Sequence, residues 1–535
     1  MKQMQRLFLA AVVPVLFLVS CVGPAVPPVP SSRQAYVQAR DQLIRAEQAR
    51  NFSAGLVLSP AEQTANARLL QLRKQELQRT ASAFPPARNF LAAKADIDAS
   101  PLMPIFRKMP KGAMLHAHPG AIQDFHWLVA YVTYLPLCYL YTGPDTPAAV
   151  NGTLAFFAQP PGPQWKLVQE LRHAAPDRAE FDAQLYRSIT LGPEDLTSPD
   201  IWRQFEKCWS RVDAIENYAP VAREFARREL EAAVAENVQV LELRASLCGP
   251  LDLAGRAAGN DAAVAQWRAV LAEVRQQHPE FQLKLIVSHQ RTAAPAQVGS
   301  YLREALRLRK QYPDLVAGFD LVNEEDRSHA LVDFLDEWLA INREAQAAGI
   351  TLPYFFHAGE SNRADNANLD EALLLHSQRI GHGLALAKHP LLLEQVRSRQ
   401  IAVEACPISN QVLGYVRDLR THPALFWLRD GVPVTLNPDD PGMMRATFSH
   451  DFYAAFMAWD LDLADLKQLA LNSLRYSSLN ADEKAEAIAT WTVRWNTFID
   501  WLNTHAPPPA RPVEPAPIAR LGGPAVDADE THPAG

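Results

Sequence analysis

Eight short apolar segments, most of them separated by stretches of helical character, set the tightest limit on how this 535-residue chain folds. They lie at residues 113–118, 238–243, 282–288, 316–322, 352–357, 379–382, 401–406 and 432–437. Apolar runs of this length suit strands buried on both faces, as in a parallel sheet. Amphipathic stretches such as 220–237, 262–277, 296–312 and 329–348 lie between them. Eight strands alternating with helices predict an α/β chain closed into a (β/α)8 barrel. Hydrophobic residues make up 48% of the chain, enough to fill a core of that size. The gap between the first two segments is long, and residues 140–200 carry Pro-rich and aromatic stretches. That span reads as a subdomain inserted over the barrel mouth.

The two ends read differently. Lys2 and Arg6 precede an apolar run at 7–19, too short to suit a membrane-spanning helix, which ends in Leu18-Val19-Ser20-Cys21. This is the pattern of an export signal with a lipobox at 1–21, in which Cys21 is lipidated. An ordinary signal peptide with a coincidental cysteine is the alternative. Either way the protein is expected to be exported, periplasmic or held on a membrane surface by its lipid anchor. Residues 22–33 read as a tether, 34–100 as a helical extension and 101–505 as the catalytic domain. Residues 506–535 are Pro/Ala-rich and read as a disordered tail. Ser59-Pro60-Ala61-Glu62 marks a helix start, with Ser as N-cap and Pro at the first position. A net charge of −7 gives no reason to expect nucleic acid as a partner. Cys138, Cys208, Cys248 and Cys406 form no CxxC pair.

In a barrel of this type the chemistry lies at the C-terminal ends of the strands. The first segment ends in His116-Ala117-His118, and residues i and i+2 of a strand point the same way. The fifth ends in His357-Ala358-Gly359-Glu360, where Gly359 permits a tight turn that swings Glu360 back over the site. The sixth ends in His382 between two glycines, and the eighth in Asp439-Asp440-Pro441. Each motif alone has a plain structural reading: surface histidines, a capping glutamate, a core histidine, an Asx turn. Together they bring four imidazoles and three acids to one mouth. Three histidines and an aspartate suit Zn2+, one per subunit, with a water left as reagent.

These motifs, taken in order, resemble those of the adenosine deaminases, and in particular the secreted growth-factor-related (type 2) branch. Met109-Pro110-Lys111-Gly112, the segment 316–322, Tyr354-Phe355-Phe356-His357-Ala358-Gly359-Glu360 and the segment 406–413 carry the same resemblance, which covers roughly residues 36–502. It implies a metal-dependent hydrolase barrel with His116, His118, His357 and Asp439 as zinc ligands. It implies Glu360 as proton donor to purine N1, and His382 as the group that orients the nucleophile and acts as base. Asp440 would bond purine N7, and Trp202 would lie over the nucleoside. Gly359 and Asn323 would line the substrate. The reaction implied is hydrolysis of adenosine, or a related aminopurine nucleoside, to inosine and ammonia. The N-terminal helices would form a homodimer. Three departures touch recognition. Pro119 and Gly120 stand where the family has an aspartate reading the ribose 5′-hydroxyl. Asn323 replaces a glycine, and Gln290, after His289, replaces a histidine. A modified adenosine or a free aminopurine is therefore the alternative substrate, and an amidohydrolase of another substrate the alternative enzyme. A binding module without catalysis would lack a ligand or the proton-donating acid, and neither is missing.

Overall fold

The computed structural model describes residues 29–505. Cys21 with its lipobox, most of the tether and the 506–535 tail lie outside the described residues. The first unit, which ends at Asn51, contains one described helix, α1 (Arg33–Gln48), capped by Ser32 and with no buried residue.

The second unit begins at Phe52. Its first helix, α2 (Pro60–Arg79), starts in a capping box. Ser59 Oγ accepts from the Glu62 N–H, and Glu62 Oε2 accepts from the Ser59 N–H. The Glu62 carboxylate also takes Lys467 Nζ at 2.6 Å and Trp495 Nε1 at 2.8 Å. These come from helices Leu463–Arg475 and Ala481–Thr504, so α2 is joined to the last two described helices.

The eight expected strands are present: β1 (Gly112–Ala117), β2 (Val238–Ala245), β3 (Gln282–Gln290), β4 (Val316–Val322), β5 (His357–Ala358), β6 (Arg379–His382), β7 (Ala402–Ala405) and β8 (Val434–Leu436). All pair in parallel, in two four-stranded arcs ordered β1-β2-β3-β4 and β5-β6-β7-β8. Single parallel bridges, Phe319 with Tyr354 and Ala117 with Asp439, join the arcs into a closed barrel.

The fifth strand is shorter than its apolar run. Pro353 has no N–H for a ladder and the Phe356 N–H donates to Ser377 Oγ at 3.1 Å, so Tyr354 makes an isolated bridge and regular pairing starts at His357. The Pro353 carbonyl accepts from the Phe319 N–H at 2.9 Å. This approach requires Gly318, where a Cβ would sit 2.2 Å from that carbonyl oxygen. The long segment after β1 holds a small antiparallel sheet not foreseen from the sequence. Its central strand Cys138–Tyr141 pairs with Leu154–Phe156 and Trp165–Leu167. Phe156 stacks on Tyr218 with ring centroids 4.1 Å apart, beside helix Ile201–Glu216. No helix among the described residues is long and apolar enough to cross a membrane.

Candidate metal and catalytic site

Strand ends deliver the side chains to one place. His116 and His118 come from the end of β1, His357 from β5, His382 from β6 and Asp439 from the turn after β8. Donor atoms of His116, His118, His357 and Asp439 all lie within 4.8 Å of one another. His116 Nε2 is 3.3 Å and His118 Nε2 3.2 Å from Asp439 Oδ1. His116 Nε2 and His357 Nε2 face each other at 2.9 Å.

That last contact tests whether a cation fits. His116 Nδ1 is 2.8 Å from Glu404 Oε2, and His357 Nδ1 is 2.7 Å from Asp320 Oδ2. A carboxylate accepts only, so each Nδ1 carries the proton and each Nε2 presents a lone pair. Two lone pairs directed at each other beside a carboxylate repel unless a cation lies among them. The donor set therefore fits a divalent metal of the zinc type.

The carboxylates behind the histidines are themselves held. Arg244 gives Nε to Asp320 at 2.8 Å and Nη2 to Glu404 at 2.5 Å. Arg379 links Glu404 at 2.5 Å to Glu242 at 2.7 Å. All five side chains are buried. Asn437 Oδ1 accepts from the backbone N–H of Leu115 and His116, at 2.8 and 3.1 Å, where β8 meets β1. Ser409 Oγ donates to Asp439 Oδ2 at 2.7 Å. None of these supports was identified from the sequence. For the charged ones the signal is an ionisable residue inside an apolar strand: Glu242 and Arg244 in 238–245, Asp320 in 316–322 and Glu404 in 402–405.

A chain of donors fixes the fourth imidazole. The Ala424 N–H donates to His422 Nδ1, so His422 Nε2 carries a proton and donates to Asn410 Oδ1 at 3.1 Å. The Asn410 amide then donates to His382 Nδ1 at 3.1 Å. The remaining proton of neutral His382 sits on Nε2, 3.9 Å from Asp439 Oδ2. Burial, reinforced by His116, holds His382 well below the usual imidazole range, so it is neutral. His382 and Asp439 have left-handed backbones, with φ of 59° and 62°. Such strain costs about 1–3 kcal/mol per residue and concentrates at functional sites.

Two acids complete the site. Glu360 follows a turn held by Glu325, which accepts from the Gly359 N–H at 3.0 Å and the Glu360 N–H at 2.9 Å. Gly359 has φ +77°, the turn expected of it, but its N–H is engaged by Glu325 and it does not line the cavity. Burial, with Asp439 and Glu325 nearby, pushes Glu360 well above the carboxylate range. Burial, with Asp439 and Glu360 nearby, does the same to Asp440. Glu360 Oε1 and Asp440 Oδ1 are enclosed without hydrogen-bond partners.

These groups open into a cavity of about 720 Å³. Trp202 lines it, as do Pro119, Gly120, Gln290 and Asn323. Asn323 sits at φ 106°, backbone better suited to glycine, and its amide donates to Gln290 Oε1 at 2.6 Å. His289 is turned onto Tyr301, ring centroids 3.7 Å apart.

Comparison with known proteins agrees with this architecture. The family model for adenosine deaminase matches residues 195–491, and that for the adenosine/AMP deaminase N-terminal region matches residues 15–106. Adenosine deaminase 2 of Sus scrofa is 38% identical over 483 residues, covering 86% of this chain and 93% of that protein. The Homo sapiens protein of the same name is 37% identical over 484 residues, with the same coverage. A zinc-bound amidohydrolase structure from Burkholderia ambifaria superposes with a TM-score of 0.54 at 21% identity, covering 76% of this chain and 96% of that one. That likeness speaks for the fold.

Proposed function

The chain belongs to the adenosine deaminase family, and from that premise we propose that it hydrolyses the amino group of adenosine, or of a closely related aminopurine nucleoside, giving inosine and ammonia with one zinc ion per subunit. The observation that carries this reading is the pair of unpartnered acids beside the four-donor centre. Glu360 Oε1 and Asp440 Oδ1 are buried and lack partners, and burial beside other carboxylates favours the protonated form of both. A purine edge offers them two acceptors, N1 and N7, which need donors rather than carboxylates.

His116, His118, His357 and Asp439 would hold the metal. When bound, the ion supplies Lewis acidity that makes water reactive near neutral pH. Glu360 gives its proton to N1, which makes C6 electrophilic. Asp440 donates to N7 and fixes the ring. His382 presents Nε2–H and orients the nucleophile; the base role implied by the resemblance would need the other tautomer. Trp202 covers the nucleoside, and Asn323 flanks it. The cavity exceeds a bare purine, which favours a nucleoside over free adenine. Its single lining Arg or Lys among the described residues, Arg244, is taken by Asp320 and Glu404, which favours an uncharged sugar over a phosphate.

Export, lipidation at Cys21 with attachment to a membrane surface, and a homodimer through the N-terminal helices complete the proposal. These rest on the sequence and on its resemblance.

An ultraviolet assay over aminopurines, with and without chelator, tests the reaction. Metal-loaded protein is expected to convert adenosine, and chelation to stop it. Release of no ammonia from any aminopurine nucleoside refutes the proposal.

A further inference from the structure

We propose that Glu216 is a specificity-determining residue that hydrogen-bonds a hydroxyl group on the substrate's sugar. The inference rests on the nucleoside reading above.

Glu216 is the last residue of helix Ile201–Glu216 and is only 7% exposed. Its carboxyl lies in the cavity wall beside the loop that follows His118. A Cβ at Gly120 would meet Glu216 Oε1 at 2.4 Å and the Trp209 ring at 3.0 Å. The carboxyl thus occupies the space that a side chain at position 120 would fill. Pro119 and Gly120 bring no side-chain acceptor, and one stands there from a different element. The loop's position is secured by Glu229, whose Oε1 accepts from the Gly120 N–H at 2.7 Å and the Ile122 N–H at 3.4 Å.

Glu216 Oε2 is enclosed with no hydrogen-bond partner. A buried carboxyl oxygen left so is unfavourable until something satisfies it. Among the described residues no cation is placed to do so. Arg244 is committed elsewhere, and the neighbouring ionisable groups are Asp213 and Glu229, both acidic. This environment supplies no positive charge for a phosphate and suits a neutral hydroxyl. Burial, with the Asp213 and Glu229 carboxyls nearby, pushes the Glu216 carboxyl well above the usual range and favours its protonated form. It therefore offers a hydroxyl both a donor and an acceptor.

The test compares Glu216→Leu and Glu216→Gln with the wild type on adenosine and its 2′-, 3′- and 5′-deoxy derivatives. For the wild type, one deoxy compound should show kcat/KM reduced about tenfold or more. In Glu216→Leu that discrimination should collapse to near unity, while Glu216→Gln keeps part of it. Unchanged discrimination in both variants overturns the proposal, as does a wild type indifferent to all three hydroxyls. Leu removes an unsatisfied buried group, so melting temperature should not fall. Binding of inosine and its deoxy series, read by quenching of tryptophan fluorescence, separates this inference from the reaction. Glu216-dependent discrimination in binding without ammonia release would refute deamination and keep the sugar contact. Deamination with no effect of Glu216 would do the reverse.

Discussion

Asp320→Asn is the sharpest test of how the metal centre is preorganised. Asp320 Oδ2 accepts from His357 Nδ1 at 2.7 Å and Arg244 Nε at 2.8 Å, while Oδ1 accepts from the backbone N–H of His357 at 3.0 Å and Leu321 at 2.7 Å. Four donors converge on two acceptor atoms. Asparagine supplies one acceptor and one donor, so either orientation sets its NH2 against two donors. If NH2 faces the ring, His357 must shift its proton to Nε2 and lose the lone pair aimed at the centre. If it faces the backbone, two buried N–H groups lose their partner, and the negative charge that raised the ring's basicity is gone in both cases. Outer-shell changes of this kind typically cost ten- to a hundredfold in metal affinity, ~1.4–2.7 kcal/mol. The assay is competition for the metal against a graded series of chelators, with circular dichroism recorded well below the melting temperature to show that the fold persists. Wild-type affinity in a folded, purified Asp320→Asn protein would refute the tautomer argument.

Further outcomes follow from the same geometry. Glu360→Gln should keep its metal but lose about a hundred- to ten-thousandfold in kcat, measured by steady-state turnover. Because Glu360 must be protonated to act, wild-type kcat/KM should fall on the alkaline side, and a pH profile without that limb would contradict the assignment. Gly318→Ala places a Cβ 2.2 Å from the Pro353 carbonyl oxygen, and overpacking at this seam should cost ~1–3 kcal/mol or more, seen as a lower melting temperature. Burial pushes Glu229 up to about 8, so the folded state holds a proton that the unfolded chain releases near the ordinary glutamate value of 4.5. Stability therefore falls as pH rises through that window, by on the order of a few kcal/mol. Melting curves of Glu229→Gln should lack this decline between pH 5 and 8, and parallel curves would sink the reading.

The barrel and the residues at its mouth were legible because two kinds of signal coincide there. Apolar runs at strand length marked the strands, and imidazoles at their ends stood out against them. The supporting groups were hidden by the same logic. Glu404, Asp320 and Arg244 each interrupt an apolar run, which reads as a blemish in a pattern rather than a partner 2.5–2.8 Å from another strand's residue. The small sheet after β1 uses strands of three or four residues, too short to show a period. Glu216 ends an amphipathic helix, where a polar side chain is ordinarily solvated, and only the folded loop at Gly120 shows it to be enclosed. The shortened fifth strand turns on Pro353, whose effect on the ladder depends on which face meets β4.

The two seams that close the barrel are single bridges, and one of them, Ala117 with Asp439, lies among the candidate metal ligands. His116 and His118 come from one four-stranded arc; His357 and Asp439 come from the other and from the turn that follows it. An ion at their centre would act as a clasp across one of the two narrow joins in the wall. Loading the reagent of the reaction and fastening the two halves of the molecule would then be the same event.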